Sequence, residues 1–232
     1  MNILFSVVSH GQMDLVKKLI TSIDKFILYK KCIIKIIITE NLESEIDVTS
    51  SRFEIIKKIN LRKKGFGDNH NCAFEQLKSN FFFIINPDVE FLHPVDFDLL
   101  ITEIIKRNLD IASPLIVNKY DVVEDYKRTN ITPWTLFKRI VFKKKEERFD
   151  WFAGIFLVID SQSYSRLNGF DNKFYIYVED CDLCMRARKL GMNIGDIHDL
   201  KVFHNARRNS LKSIQHFKWH ISSLFKYWFK KY

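Results

Sequence analysis

No stretch of the 232-residue chain approaches the roughly 20 apolar residues that a membrane-crossing helix needs. No secretory leader is read at its start: the apolar run 3–8 is short, lacks a basic flank and ends in Ser9-His10-Gly11. Cysteine is scarce, with Cys32, Cys72, Cys181 and Cys184 alone. The last two form a C-x-x-C, but no second pair or His cluster completes a zinc site. All four are expected to be reduced, small and mostly buried, which suits the cytoplasm. No Gly-Lys-Ser/Thr is present to make a P-loop, and the glycine loop at Gly65 lacks the third Gly of a dinucleotide fingerprint. Acidic residues stop at Asp199, while Lys201, Arg207, Arg208, Lys212, Lys218, Lys226, Lys230 and Lys231 follow. No internal repeat or low-complexity segment is present.

What the chain does contain fits one large domain. Its apolar fraction of 47% is ample for a single core, and Phe is common at 21 residues. The net charge of +9 calls for an anionic partner: nucleic acid, nucleotide phosphates or an acidic membrane face.

The first half alternates strand and helix patterns. Buried, β-branched or aromatic strands are predicted at 3–8, 32–38, 53–59, 81–85 and 110–117, with helices at 14–29, 69–78 and 95–107. That alternation predicts an α/β fold with a doubly wound, mostly parallel sheet covered on both faces. Ligands bind such sheets beyond the carboxyl ends of the strands. Ser9 and His10, Glu40 and Asn41, and Asn86 and Asp88 stand at three of those ends. Residues 118–150 show no clear periodicity and read as a surface loop or short irregular helices. Residues 151–160 read as one strand interrupted by Gly154. A strand and a basic loop follow at 200–209, and an amphipathic helix closes the chain.

The densest chemistry lies at 170–184. An aromatic-rich segment delivers Glu179, Asp180 and Asp182 to the first turn of a helix. The helix dipole favours ionised carboxylates there, which suits a general base taking a proton from a hydroxyl. The same residues also fit a capped helix start with an Asp182–Arg186 pair. Asp88 and Glu90 lie two apart, on one side of an extended segment. They suit Mg²⁺ or Mn²⁺ carrying a diphosphate, or a strand-end turn with solvated acids. The loop with Gly65, Phe66, Gly67, Asn69 and Asn71 opens a helix, so its backbone can approach an anion; a Gly turn with an Asn cap is the other reading. Trp151 beside Gly154 offers an aromatic platform for a sugar, with Phe152 in the core. His204 can complete a metal site, and Arg207 and Arg208 can neutralise a leaving diphosphate.

In this order the motifs resemble the family 2 glycosyltransferases with the GT-A nucleotide-sugar fold. Among these the chain is most similar to bacterial O-antigen rhamnosyltransferases that use dTDP-L-rhamnose. The resemblance runs from Val7-Val8-Ser9-His10-Gly11 to the tail. It is carried best by Asp150-Trp151-Phe152-Ala153-Gly154, Asn168-Gly169-Phe170-Asp171 and Tyr177-Val178-Glu179-Asp180-Cys181-Asp182-Leu183-Cys184. It implies that Asp88 holds the divalent metal on the donor diphosphate. It puts Glu40, Asn41 and the 65–71 loop by the nucleoside, and His204 with the Arg pair by the diphosphate. Asp180 becomes the base, with Glu179 and Trp151 holding the acceptor. Two departures stand out: many members carry Asp where this chain has Glu40, and many rhamnosyltransferases lack a second acid at Glu90.

The implied reaction is a single in-line displacement with inversion, since no residue suggests a covalent intermediate. UDP- or GDP-sugars are the alternative donors. A sugar-phosphate nucleotidyltransferase would need a Gly- and Arg-rich loop after the first strand, which Ser9-His10-Gly11-Gln12 does not supply. A nucleic-acid binder would have to tolerate the acidic strand ends, so no nucleic-acid partner is expected. The catalytic domain is read as 1–210, with a nucleotide-sugar half at 1–117 and an acceptor half at 118–210. In the tail, 211–232, Phe217, Ile221, Leu224, Phe225, Trp228 and Phe229 recur at helical spacing among lysines. Such a helix either lies in an anionic membrane interface or packs on the sheet. The resemblance implies a polyprenyl-diphosphate-linked acceptor, hence peripheral attachment to the cytoplasmic face of the inner membrane.

Overall fold

The computed structural model describes residues 1–42, 45, 47–142, 149–204 and 214–230. The predicted diphosphate ligands Arg207 and Arg208 lie outside the described residues. In chain order the first elements are β1 (Asn2–Ser9), α1 (Met13–Phe26), β2 (Ile27–Leu28), β3 (Ile33–Glu40), β4 (Glu54–Ile59) and α2 (Phe66–Phe74). Next come β5 (Phe81–Ile85), β6 (Val89–Phe91), β7 (Val95–Asp96), α3 (Phe97–Lys106), β8 (Ile111–Val117), β9 (Lys127–Arg128) and α4 (Pro133–Phe142). The last are β10 (Trp151–Phe152), β11 (Phe156–Asp160), α5 (Ser161–Arg166), α6 (Glu179–Lys189), β12 (Ile194–His204) and α7 (Ile214–Trp228).

Eight strands form one sheet in the order β4-β3-β1-β5-β11-β8-β12-β6. β4, β3, β1 and β5 are mutually parallel, and β12 is parallel to β8. β11 runs antiparallel to both β5 and β8, and β6 antiparallel to β12. The sheet is therefore mostly parallel, as expected, with two reversed strands. Every residue of β5 is buried, as is all of β1 after Asn2. A strand buried on both faces is a continuous apolar run, which is why these elements are legible. The Phe excess fills the core: Phe5, Phe83 and Phe97 make a cluster with ring centroids 5.0 to 5.7 Å apart.

Several expected boundaries move. The helix predicted at 95–107 starts at Phe97, because Val95-Asp96 pairs with Ile27-Leu28 as a small separate sheet. Asp96 then caps α3, accepting from the Asp98 and Leu99 amides. The region 118–150 is more regular than its composition suggested, since it contains β9 and the ten-residue α4. The strand read at 151–160 is two strands in different sheets: β10 pairs with β9, and β11 joins the main sheet. After α5, Asn168 and Gly169 are both left-handed, with φ of 54° and 64°. A Cβ on Gly169 would meet Asn71 Oδ1 at 2.3 Å, so only glycine fits. Cys32, Cys181 and Cys184 are buried, Cys72 is partly exposed, and all four are free thiols.

The closing helix α7 packs on the domain along one side. Ser223, Leu224 and Tyr227 are buried. Ser223 Oγ donates to the Ile176 carbonyl at 2.9 Å, and Trp228 Nε1 to the Ile131 carbonyl at 2.8 Å. Just beyond the helix, Lys230 bridges Asp171 at 2.8 Å and Asp182 at 2.5 Å. Asp182 is fully buried and also accepts from Arg186 Nε at 2.7 Å. Arg186 in turn donates to the carbonyls of Leu167 and Gly169. Removing the carboxylate leaves two cations facing a buried amide. Asp182→Asn should therefore lower unfolding stability by about 3 kcal/mol, read as a lower urea midpoint, while the folded fraction keeps its turnover. An unchanged midpoint would refute this structural role.

Candidate active site

Two left-handed residues set up the start of α6. Tyr177 and Val178 have φ of 70° and 71°, a conformation that a β-branched residue adopts only under constraint. The kink turns Glu179 and Asp180 inward. Glu179 is 5% exposed, and its Oε2 has no hydrogen-bond partner. Asp180 is better provided: its Oδ2 accepts the Gly154 N–H at 2.8 Å, and its Oδ1 the Cys181 N–H at 2.8 Å. Burial raises the pKa of both carboxyls. The Asp180 charge raises Glu179 further, whereas the Gly154 N–H and the Arg128 charge pull Asp180 back down. The two carboxyls thus differ in surroundings: Glu179 Oε2 has no partner, whereas both Asp180 oxygens accept backbone N–H groups.

The turn that holds Asp180 also holds the donor-side acids. The Ile155 carbonyl accepts from Asn86 N–H at 2.9 Å, and Asn86-Pro87-Asp88 follow directly. Asp88 Oδ1 lies 3.4 Å from His204 Nε2 at the end of β12, and His204 Nδ1 lies 3.0 Å from Glu124 Oε2. Burial lowers the His204 pKa, but Asp88 and Glu124 outweigh it and the net shift is upward. Of this pair the Asp88 carboxylate is the ligand that suits Mg²⁺ or Mn²⁺, while the His204 nitrogen favours the softer Mn²⁺ over Mg²⁺. Among the described residues no group of three or more His, Cys, Asp or Glu side chains is placed to hold an ion. Glu90 therefore does not join Asp88 and His204 as a third ligand.

Other expected donor residues turn inward. Glu40 is fully buried, and its carboxylate accepts Ser9 Oγ–H at 2.6 Å, Gly11 N–H at 2.9 Å and Leu42 N–H at 3.0 Å. Ser9 and Glu40 thus tie the ends of β1 and β3 together. Asn41 Oδ1 accepts from the Asn60 side chain and the Lys64 amide, and its Nδ2 donates to the Lys64 carbonyl. Asn69 Oδ1 takes the Asn60 amide at 2.6 Å, and its own amide goes to the Gly65 carbonyl. Asn71 spends its side chain on Phe170, Asn172 and Tyr164. These residues build the loop that faces the ligand space; their polar atoms are already occupied. His10 remains exposed at the rim.

The glycines have a packing reason as well. A Cβ on Gly65 would lie 2.6 Å from the Tyr175 carbonyl oxygen, and one on Gly67 would lie 2.5 Å from Phe170 Cβ. The close approach at this loop is to the 170–175 segment, in contrast to the ligand approach expected. Phe66 sits against Gly154, where an added Cβ would meet its ring at 3.3 Å and Asp180 Cβ at 3.6 Å. Trp151 is not an open platform: it is 3% exposed, with Nε1 donating to the Thr129 carbonyl at 2.7 Å. Its face is covered by the Arg128 guanidinium, 5.3 Å from the ring centroid. Arg128, Glu124 and Asn60 were missed by the sequence reading. The first two lie in the stretch without periodicity, and a lone Asn after a strand carries no signal.

The sequence matches the family model Glyco_transf_7C, described as the N-terminal domain of galactosyltransferase, over residues 137–217. It is 26% identical to rhamnosyltransferase WbbL of Escherichia coli K12, covering 97% of this chain and 92% of that protein. Over 57% of the chain it is also 26% identical to hexosyltransferase Agl10 of Haloferax volcanii, covering 45% of that protein. The fold is similar to that of GalNAc-T7 in its crystal structure with UDP, GalNAc and Mn²⁺, with a TM-score of 0.68 at 16% identity. That match covers 89% of this chain and only 43% of GalNAc-T7. Mannosyltransferase PcManGT of Pyrobaculum calidifontis, in complex with GDP-Man and Mn²⁺, matches with a TM-score of 0.62 at 12% identity. There 97% of this chain and 64% of PcManGT are covered.

The chain is a glycosyltransferase of the GT-A fold. In this GT-A chain a base at Asp180 must be ionised to act. Its pKa is raised, so kcat/KM should fall as pH drops through a value above the ordinary carboxylate range of about 4. Glu179 adds an opposite trend in stability. The folded state holds a proton there that the unfolded chain releases near the ordinary glutamate value, so stability falls as pH rises through that window. Asp180→Asn should lower kcat by about 10²-fold or more with donor binding retained, whereas Glu179→Gln should keep most of the turnover. Near-normal kcat in Asp180→Asn, or an acid limb at the ordinary Asp value, would remove Asp180 from the role.

Proposed function

We propose that this protein is an inverting transferase that moves L-rhamnose from dTDP-L-rhamnose to a saccharide acceptor linked to polyprenyl diphosphate. The glycan is then an O-antigen or another surface polysaccharide. The observation that carries the reading is the turn at 153–155, which binds Asp180 on one side and the loop leading to Asp88 on the other. A base and a diphosphate site brought together across one turn are what a sugar displacement requires. The near full-length similarity to WbbL supports the rhamnosyl assignment. The catalytic unit is assigned to 1–210 and the basic helix to 211–232.

In this reading the acceptor hydroxyl approaches Asp180, which removes its proton as the new glycosidic bond forms. The Gly154 and Cys181 amides keep the carboxylate pointed at the hydroxyl. Asp88 and His204 would hold Mg²⁺ or Mn²⁺, which neutralises the charge that develops on the departing nucleotide diphosphate. Glu124 fixes the His204 ring by holding its other nitrogen. Glu179 shapes the acceptor side, and His10 stands at the nucleoside rim. Nucleotide diphosphate release should be fastest with dTDP-L-rhamnose and stop with chelator. The screen includes UDP- and GDP-sugars, because GalNAc-T7 was crystallised with UDP and PcManGT with GDP-Man. Asp88→Asn should abolish release, since an amide oxygen binds Mg²⁺ far more weakly than a carboxylate. Full activity in chelator, together with a near wild-type Asp88→Asn, would overturn the metal assignment.

The membrane reading rests on what α7 leaves outside. Ile214, Phe217, Phe225 and Phe229 are 78, 64, 54 and 79% exposed, on the side away from Ser223 and Tyr227. No helix among the described residues is long and apolar enough to cross a membrane. An exposed aromatic stripe beside lysines suits a helix lying in an anionic interface, where each Lys adds about 1 kcal/mol. Phe217→Ser with Phe225→Ser should abolish sedimentation with anionic liposomes while the packed side of α7 stays intact. Equal sedimentation of both forms, or none at low salt, would refute attachment through this helix.

A further inference from the structure

A pocket of about 260 Å³ opens between α4, α7 and the β9–β10 ribbon, away from the Asp88 loop. Arg128, Arg139 and His220 stand on its wall, with Ile131, Leu136 and Leu224 among the apolar lining residues. The lining contains no carboxylate. Asp125, which is not in the lining, pairs with Arg139; its carboxylate lies 3.8 Å from Arg128 Nε, and its carbonyl accepts Arg128 Nε–H at 2.9 Å. Burial lowers the His220 pKa, so the two guanidinium groups supply the charge. The pocket reaches the segment that holds Asp180, since Trp151 is one of its lining residues. Trp151, under Arg128, is three residues from the glycine that holds Asp180.

The helices that wall this pocket are apolar on their outer sides. On α4, Trp134, Phe137, Val141 and Phe142 are 61, 49, 53 and 65% exposed, and Trp134 stacks on Phe137. Trp134, Phe137 and Val141 lie on the side of α4 opposite Thr135 and Arg139, which with Leu136 face the pocket. α4 has no acidic residue and carries Lys138 and Arg139, so with α7 it forms a second aromatic and basic surface. Two cations beside apolar walls, reached between two such helices, match a ligand with a charged head and a hydrocarbon tail.

We propose that this pocket binds the diphosphate of a prenyl-linked acceptor, with Arg128 and Arg139 as its ligands and the prenyl chain leaving between α4 and α7. The saccharide then extends from the diphosphate toward Asp180. This assignment rests on the transferase reading for its purpose, but its binding test does not depend on turnover.

Calorimetric titration of the full chain with geranyl diphosphate, in the presence of chelator, measures the site without a metal-held donor diphosphate. Geranyl diphosphate should bind at least tenfold more tightly than geraniol and than inorganic pyrophosphate. Arg139→Gln and Arg128→Gln should each weaken it at least tenfold, equivalent to about 1.4 kcal/mol. Arg139 is 43% exposed, so its substitution is the one least able to disturb folding; Arg139→Lys should fall between. Asp88→Asn should bind geranyl diphosphate as the wild type does. Unchanged affinity in Arg139→Gln, or loss of binding in Asp88→Asn, would overturn the site. Pyrophosphate binding as tightly as geranyl diphosphate would overturn the lipid-linked assignment. If the chain releases no nucleotide diphosphate from any sugar donor yet shows this binding pattern, the transferase reading fails and the pocket stands.

Discussion

β11 runs against both of its neighbours through the middle of the sheet, so the chain must reverse between β10 and β11. It does so at Ala153-Gly154-Ile155, where the Ile155 amide closes back on the Ala153 carbonyl at 2.7 Å. The reversal leaves the Gly154 N–H and the Ile155 C=O without strand partners. Buried backbone groups must find partners, and these two find Asp180 and Asn86. The geometry of the site is thus a by-product of satisfying one turn. Asp180 and the loop leading to Asp88 are both tied to that one turn.

What could be read from the sequence follows from how each element is buried. β1, β3 and β5 lie inside the sheet, and their unbroken Ile, Val and Phe runs announce them. The Glu179–Asp180 motif was legible as a helix start, since acids gathered after an aromatic run fit a first turn, and α6 begins there. The asparagines were harder. Asn41, Asn69 and Asn71 looked like ligands because buried amides and ligand-binding amides use the same residue at the same loops. Only the hydrogen-bond partners distinguish them. Trp151 was misjudged for a related reason: a buried indole whose N–H has a carbonyl partner reads the same as an exposed one. Arg128 was invisible because β9 is two residues long, too short for any period. α4 was missed because its outward face is apolar too, which blurs the contrast that marks an amphipathic helix.

α7 shows why two competing readings of one helix need not exclude each other. The side carrying Ser223, Leu224 and Tyr227 faces the domain, and the side carrying Phe217 and Phe225 faces outward. Packing and exposure use different residues of the same repeat. Its anchoring also reaches the catalytic helix, since Lys230 and Arg186 share the Asp182 carboxylate. Whatever binds the outer face of α7 is therefore connected through Lys230 and Asp182 to the helix that begins with Glu179.

The ligand-facing loops at the ends of β1, β3 and β4 are cross-braced by Glu40, Asn41, Asn60 and Asn69. These braced residues are held by the fold, so a ligand arriving there has few of them left to order. Immobilising a free loop normally subtracts from affinity, about 0.5–1.5 kcal/mol for each rotamer-rich side chain frozen. Here that cost was met when the chain folded. A nucleotide bound there, as proposed, would meet a largely preformed surface and be distinguished by shape more than by induced closure.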